Sequence, residues 1–135
     1  MLFALLPPLL LGQVTEFAEI QVEKASTGHR FLEGPIWSRS VGGLLFCDVP
    51  RNVILAFVEG KGIGKYREEA GGTSGLSYEG VGRLIAAQSR ARRVIRLVAV
   101  PGKPEQTEEL LSDKYQGKRF NLSLIHISEP TRLRR

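Results

Sequence analysis

Short apolar runs separated by clusters of Gly, Pro and Ser fill most of the chain between residues 31 and 113. The stretch from Phe31 to Asp48, FLEGPIWSRSVGGLLFCD, contains two such runs, Ile36-Trp37 and Leu44–Cys47, with Gly42-Gly43 between them. Runs of this length bounded by turn residues are typical of β-strands, whereas an amphipathic helix repeats its apolar residues every three or four positions. No segment has a convincing helical pattern. The chain is therefore predicted to be all-β.

The strand pattern recurs with a period of about forty residues. Gly42 and Gly82 are forty residues apart, and the apolar segments on either side of them align without a gap. The aligned pairs are Ile36-Trp37 with Leu76-Ser77, Leu44-Leu45 with Leu84-Ile85, and Ile54–Phe57 with Val94–Leu97. A period near forty with several strands per unit indicates the blades of a β-propeller or a similar array. We predict two blades, near residues 31–71 and 72–113, within a partial propeller that covers 13–121.

Each predicted unit has four strands. In the first unit, the third strand is Val53–Val58, and a turn at Gly60–Gly64 leads to an outer strand near Lys65–Arg67. The second unit has strands at Leu76–Tyr78, Leu84–Ala87, Val94–Val98 and Glu108–Leu111. In a propeller, the innermost strands and their loops point toward a central axis, where residues from several blades can converge.

The two ends of the chain do not follow the repeat. Residues 1–12 form an apolar segment that resembles a signal peptide but lacks its basic start, so secreted, periplasmic and cytoplasmic locations all stay open. Residues 122–132, LSLIHISEPTR, resemble the in-frame translation of an adapter used in sequencing libraries. We therefore treat 122–135 as non-native and expect the natural sequence to continue differently after Asn121. The apolar segment is also too short to span a membrane.

The charge of the chain does not indicate a nucleic-acid partner. The formal net charge is +5, of which +2 comes from the tail at 122–135. The remaining basic cluster, Arg90 to Arg93, precedes a predicted strand and is interpreted as a solvated turn. Cys47 is the only cysteine, so it cannot form an internal disulfide, and its apolar surroundings predict a buried side chain.

Three residues stand out as candidates for chemistry. Glu33 directly precedes Gly34-Pro35 at the edge of the first predicted hairpin, and carboxylate oxygens presented from loops are what hard cations such as calcium require. Arg119 and Asn121 offer a guanidinium and an amide that could hold a polyhydroxylated or anionic substrate. From the residues alone, a solvated turn is the favoured interpretation for each of the three.

Several motifs together resemble the gluconolactonase family, which includes regucalcin and the luciferin-regenerating enzymes. They are FLEGPIW, GGLLFCDVPRNVI, GGTSGLSYEGVGRLIAAQSRARRVIRL and LSDKYQGKRFN, and they cover residues 31–121. The resemblance implies a six-bladed β-propeller of which this chain holds the first two blades. It also implies a divalent metal ion, commonly calcium, on the central axis, and metal-assisted hydrolysis of sugar lactones and related esters.

The resemblance assigns roles to the three candidate residues. Glu33 matches a metal ligand of the family, while Arg119 and Asn121 match its substrate-binding Arg-x-Asn motif. The other ligands and the catalytic Asp of the family come from later blades, so we expect no catalytic residue in this chain and no activity from it alone. Ser74 departs from the Asn that the family often carries, which puts the role of that loop position in doubt.

Two alternatives to a lactone hydrolase stay open. The chain could belong to a non-catalytic propeller that presents a binding surface, because propellers serve many functions. It could also belong to a calcium-binding protein of the regucalcin kind. Lactone turnover by a complete protein would distinguish the hydrolase from both.

Overall fold

A computed structural model describes residues 22–99 and 106–121. Sheet 1 consists of β1 (Leu32–Ser38), β2 (Gly43–Asp48), β3 (Val53–Val58) and β4 (Gly62–Arg67), and sheet 2 of β5 (Thr73–Tyr78), β6 (Leu84–Gln88), β7 (Arg93–Ala99) and β8 (Gln106–Ser112). In both sheets the strands are antiparallel and follow chain order. A short hairpin of β9 (Lys114–Tyr115) and β10 (Lys118–Arg119) comes after sheet 2.

The all-β prediction is confirmed. The predicted signal-like segment 1–12 and the predicted non-native segment 122–135 lie outside the described residues. One predicted turn is wrong, because β4 begins at Gly62 and therefore includes Gly62 and Gly64. Gly62 pairs with Val58 and Gly64 with Ala56, so both glycines lie in the ladder instead of the loop. Within the described ranges, no helix is long and apolar enough to cross a membrane.

The repeat holds in the central strands but shifts by one residue in the first strand of each sheet. Leu44 pairs with Phe57 in sheet 1, and Leu84 pairs with Leu97 in sheet 2, so these strands keep the forty-residue period. Trp37 pairs with Leu44, however, whereas Tyr78 pairs with Leu84. The predicted match of Ile36-Trp37 with Leu76-Ser77 is therefore wrong by one residue. The loop between β5 and β6 is one residue shorter than the loop between β1 and β2, because Tyr78 pairs with Leu84 six positions on and Trp37 with Leu44 seven positions on.

The core lies between the two sheets, because alternate residues of each strand point to opposite faces. Leu45, Cys47 and Ile54 of sheet 1 are fully buried there. They belong to one cluster with residues of sheet 2, namely Leu84, Ala86, Ile95 and Leu97. Burial, together with the nearby charge of Glu33, raises the pKa of the Cys47 thiol to about 12. Cys47 is thus the buried apolar residue that the sequence predicted.

The opposite face of sheet 1 has a different covering. Residues at 44, 46, 55 and 57 are apolar and occupy the positions that 84, 86, 95 and 97 occupy in sheet 2. In sheet 2 those positions pack on sheet 1. In sheet 1 they are covered only in part by the chain before β1, and a cavity of about 320 Å³ remains between that chain and the sheet.

Candidate active site

Glu33 is the second residue of β1 and is partly exposed. It pairs with Cys47, and the register shifts between Glu33 and Ile36, which marks a β-bulge. We expected the carboxylate at the rim of the hairpin, but it lies inside the strand, one residue from its start. Bulges redirect side chains and are frequent next to active sites. The irregular backbone here therefore sets the direction of the Glu33 side chain.

The first strands of the two sheets come into close contact beside Glu33. Gly34 has a φ of +59°, and a Cβ added to it would lie 2.9 Å from the carbonyl oxygen of Ser74 and 3.1 Å from the Cα of Gly75. Only glycine accepts both this backbone conformation and this contact without strain. Gly34 therefore allows β1 and β5 to approach each other.

Ser74 is the counterpart of Glu33 in sheet 2. Leu32 pairs with Asp48 and Thr73 pairs with Gln88, so the shift of forty-one residues that relates Trp37 to Tyr78 also holds at the start of these strands. We expected Ser74 in a loop, which is wrong because it lies in β5 and is buried. Its hydroxyl is 2.8 Å from the hydroxyl of Ser89, which donates to it.

A chain of hydrogen bonds connects the turns at the end of the sheets where Glu33 lies. The carbonyl of Asn52, in the β2–β3 turn, accepts from the amide of Ala70 at 3.0 Å, and its side-chain oxygen accepts from the amide of Gly72 at 2.6 Å. The carbonyl of Gly72 then accepts from the amide of Ser89, in the β6–β7 turn, at 3.1 Å. Both turns therefore lie at one end of the stacked sheets.

Arg119 and Asn121 lie at this same end. Both are exposed, Arg119 in β10 and Asn121 just after it. The Arg119 Nη2 donates to the carbonyl of Ala91, in the β6–β7 turn, at 3.4 Å. From the same turn, the Arg92 Nε donates to the carbonyl of Phe120 at 2.5 Å. The structure thus brings the three predicted site residues to one end of the molecule, while their roles stay predictions.

The known proteins that this chain resembles include gluconolactonases. No protein-family model matches the chain. The gluconolactonase of Zymomonas mobilis is 24% identical over 135 aligned positions, which cover 82% of this chain and 36% of that protein. The predicted resemblance to the gluconolactonase family is confirmed. The gluconolactonase-like chain spans about a third of the length of this relative.

Solved structures of gluconolactonases share the fold. A crystal structure from a structural genomics programme has a TM-score of 0.63 and 23% identity, and the match covers 72% of this chain and 32% of that one. A gluconolactonase from Xanthomonas campestris has a TM-score of 0.58 and 23% identity, with 67% and 29% covered. At this level of identity, the two matches show that the gluconolactonase-like chain has the fold of part of these proteins.

The described residues do not form a complete metal site. Glu33 supplies one carboxylate, but within 22–99 and 106–121 no three or more His, Cys, Asp and Glu side chains are grouped so that they could hold an ion. A calcium ion takes six to eight oxygen ligands, so one carboxylate is far from sufficient. The calcium prediction therefore requires ligands from beyond the described part of the gluconolactonase-like chain.

Asp48 is a buried carboxylate that the sequence analysis did not single out. Its Oδ2 accepts from the amide of Arg30 at 3.2 Å and lies 3.9 Å from the Nδ1 of His29. The other ring nitrogen of His29 is 2.6 Å from the hydroxyl of Ser26. The order is that of a Ser–His–Asp triad, but 3.9 Å is too long for a hydrogen bond between the acid and the base.

This cluster is better explained as an attachment of the incoming chain to sheet 1. The ring of His29 packs edge-on against Phe46, with centroids 5.9 Å apart, and the amide of Val49 donates to the carbonyl of Phe31 at 3.1 Å. The period of two places Asp48 on the same face as Leu44 and Phe46. That alternation could have identified Asp48 as a charged residue on an apolar face.

Proposed function

We propose that this chain is the first part of a sugar-lactone hydrolase of the gluconolactonase type. The placement of Glu33, Arg119 and Asn121 at one end of two stacked sheets carries the proposal. These residues are far apart in sequence, and the fold collects them where the turns of both sheets lie. The similarity to gluconolactonases supports the chemistry.

The proposed architecture is a six-bladed β-propeller in which sheets 1 and 2 are the first two blades. The apolar face of sheet 2 is buried against sheet 1. The equivalent face of sheet 1, with Leu44 and Phe57, lines a cavity instead. A preceding blade would cover that face, as sheet 1 covers sheet 2. The relatives are about three times as long as the matched part, which leaves room for further blades.

Each of the three residues has a proposed role. Glu33 is one ligand of a divalent cation, proposed to be calcium, because a carboxylate is a hard oxygen donor. Arg119 and Asn121 hold the substrate, since a guanidinium and an amide can bond to hydroxyl and carbonyl oxygens of a sugar lactone. The remaining ligands and the catalytic Asp would come from later blades. The 135-residue chain is therefore proposed to be inactive by itself.

A hybrid protein tests this proposal. Residues 22–121 would replace the matching segment of the Zymomonas mobilis gluconolactonase, and hydrolysis of gluconolactone would be measured with calcium present. We expect the 135-residue chain to show no turnover and the hybrid to be active. In the hybrid, Glu33→Gln should reduce kcat/KM by at least about 100-fold, because metal sites lose 10–100-fold even when only their supporting residues are changed.

Glu23→Gln is the matched control, because Glu23 is exposed and lies before the first strand. It should leave activity unchanged. Circular dichroism and thermal melting would establish that each hybrid is folded. A folded hybrid in which Glu33→Gln retains full activity would contradict the role of Glu33. A folded hybrid that binds calcium without turnover would favour the calcium-binding alternative over the hydrolase.

A further inference from the structure

Arg92 occupies an unusual backbone conformation in the β6–β7 turn. Its φ is +57°, in the left-handed region that is sparsely populated by residues other than Gly, Asn and Asp. Its amide donates to the carbonyl of Ser89 at 3.3 Å, which closes the turn. Strained conformations of this kind persist where the surrounding contacts stabilise them, and they cluster at functional sites.

The guanidinium of Arg92 supplies such contacts. Its Nε donates to the carbonyl of Phe120 at 2.5 Å, and its Nη2 donates to the carbonyl of Arg119 at 3.4 Å. In return, the Arg119 Nη2 donates to the carbonyl of Ala91 at 3.4 Å. A planar guanidinium has its donors in a fixed fork, so it can bind two successive carbonyls where a lysine ammonium could not match both directions.

The other hydrogen bonds of the β9–β10 hairpin and of Phe120 join residues that are close in sequence. Lys118 pairs with Tyr115 and Arg119 with Lys114 within the β9–β10 hairpin, and the amide of Phe120 donates to the carbonyl of Asp113 at 3.2 Å. A two-residue ladder with exposed side chains is weak on its own. The contacts from Arg92, which is 28 residues away from Phe120, tie the hairpin to sheet 2.

Asn52, at the equivalent position in sheet 1, makes comparable contacts. Asn52 lies forty residues before Arg92, also has a positive φ of 60°, and also ends the turn between the second and third strands. Its carbonyl and its side-chain oxygen bind the amides of Ala70 and Gly72, where the chain leaves sheet 1. In both sheets, therefore, the left-handed turn residue holds the chain segment that follows the sheet.

We propose that Arg92 is a positioning residue that fixes the main chain of Arg119–Asn121 and thereby presents the side chains of Arg119 and Asn121 to a sugar lactone. This inference rests on the proposed function for the substrate, but the attachment itself rests on the contacts of Arg92. Arg92 acts through the carbonyls of Arg119 and Phe120.

Hydrogen exchange of backbone amides in the 135-residue chain tests the attachment without any activity. The variant is Arg92→Asn, because Asn tolerates the left-handed conformation and the change therefore removes the guanidinium while keeping the turn. We expect exchange of the Phe120 amide, which donates to the carbonyl of Asp113, to become about tenfold faster or more, since hydrogen bonds from a charged donor are stronger than neutral ones. Amides of β6 and β7 should keep their protection.

Arg92→Lys and Arg90→Asn are the companion variants. The lysine variant should give an intermediate increase, because one ammonium can reach one carbonyl only. Arg90 is exposed in the same turn, and its replacement should leave the exchange of the Phe120 amide unchanged. Unchanged exchange in Arg92→Asn, or an equal increase throughout sheet 2, would overturn the positioning role. If Arg92→Asn fails to fold, the lysine variant provides the same comparison.

The hybrid enzyme described above tests whether Arg92 affects substrate binding. Arg92→Asn should raise KM for gluconolactone by about tenfold with a smaller change in kcat, because substrate binding residues are loosened and no reacting group is removed. If Arg119→Ala raises KM and Arg92→Asn does not, presentation of the substrate residues by Arg92 is refuted. A folded hybrid without turnover would refute the proposed function, while the exchange measurement would still decide the attachment.

Discussion

The two sheets have the same apolar framework but different polar groups around it. Leu44 and Leu84 occupy the same position in their sheets, and both pair with an apolar residue of the next strand. Asp48 and Gln88 also occupy the same position and are both buried, but their partners differ. The Asp48 carboxylate accepts from the backbone amide of Arg30, whereas the side-chain Nε2 of Gln88 donates to the carboxylate of Glu108 at 3.0 Å. Repeated apolar positions therefore build the fold, and individual polar positions determine what each sheet contacts.

The outer faces differ in the same way. The outer face of sheet 1, with Leu44 and Phe57, lines an apolar cavity. The outer face of sheet 2 has a charged row in which Arg96 donates to Glu79 at 3.0 Å and to Glu109 at 2.9 Å. A row of paired charges tolerates water better than an apolar face does. The two outer faces are thus suited to different neighbours.

Replacement of the apolar residues at one repeat position should give the largest difference in stability between the sheets. Leu45→Ala should lower the free energy of unfolding by about 2–5 kcal/mol, because Leu45 is fully buried between the sheets and its removal leaves a cavity. Ile85, at the same repeat position in sheet 2, is only partly buried, so Ile85→Ala should cost about half as much or less. Urea unfolding followed by circular dichroism measures both. Equal losses would show that the two positions are equally enclosed.

Two glycine replacements test the contact between the first strands. Gly34 and Gly42 both have positive φ, but only Gly34 would place a Cβ against the backbone of Ser74 and Gly75. Gly42→Ala should cost about 1 kcal/mol from backbone strain alone, and Gly34→Ala about 1–3 kcal/mol more, because β1 and β5 must separate. Thermal melting of the two variants provides the comparison. If both lower Tm equally, the contact between β1 and β5 has no role in stability.

The hydroxyl of Tyr78 should contribute less to the free energy of unfolding than these residues do. It donates to the hydroxyl of Ser38 at 2.8 Å and so joins β1 and β5, the first strands of the two sheets. Tyr78→Phe should lower the free energy of unfolding by about 1 kcal/mol, the usual value for a hydrogen bond within a protein. Tyr115 is 70% exposed in β9, and Tyr115→Phe is the matched control with no expected effect. A loss of the same size in both variants would argue against the bond between the sheets.

The ion pairs of Glu79 in the charged row of sheet 2 should make the smallest contribution to the free energy of unfolding, and that contribution depends on pH. Hydrogen bonds from Arg83, and after it from Arg96, lower the pKa of Glu79 below its ordinary value of 4.5. A lowered folded-state pKa means that the contribution to stability is present above pH 4.5 and is lost as pH falls through the folded-state pKa. The stability difference between the wild-type chain and Glu79→Gln should therefore shrink between pH 6 and pH 3. It should also shrink in 0.5 M salt, which screens exposed charges. A difference that is constant with pH would exclude this role for Glu79.

Most of the strands could be predicted from the sequence because apolar residues repeat at the same spacing in both sheets. The one-residue shift of β5 could not, since it depends on the length of the loop between Tyr78 and Leu84. Leu76 is apolar and matches Ile36 in the ungapped alignment, so the apolar pattern alone favoured the wrong register. Gly62 and Gly64 were assigned to a turn because glycines usually mark turns, but an outer strand with exposed positions accepts them.

The candidate site was less accessible to sequence reasoning than the fold. Glu33, Arg119 and Asn121 were distinguished from ordinary turn residues only by resemblance to a family. The contacts of Arg92 with Phe120 and of Asp48 with Arg30 depend on tertiary placement, because each joins residues that are many positions apart. No local spacing rule describes such pairs. A charged residue at the end of an apolar run, as at Asp48, is the one signal that could have indicated burial.

The buried thiol of Cys47 has a practical consequence. With its pKa raised to about 12 and no exposed surface, it should not react with thiol reagents at neutral pH while the sheets stay together. Each separation of the sheets would expose it briefly. The rate at which a thiol reagent labels Cys47 therefore reports how often the two sheets separate. Cys47 can thus be used to measure the stability of the contact between neighbouring sheets in this fold.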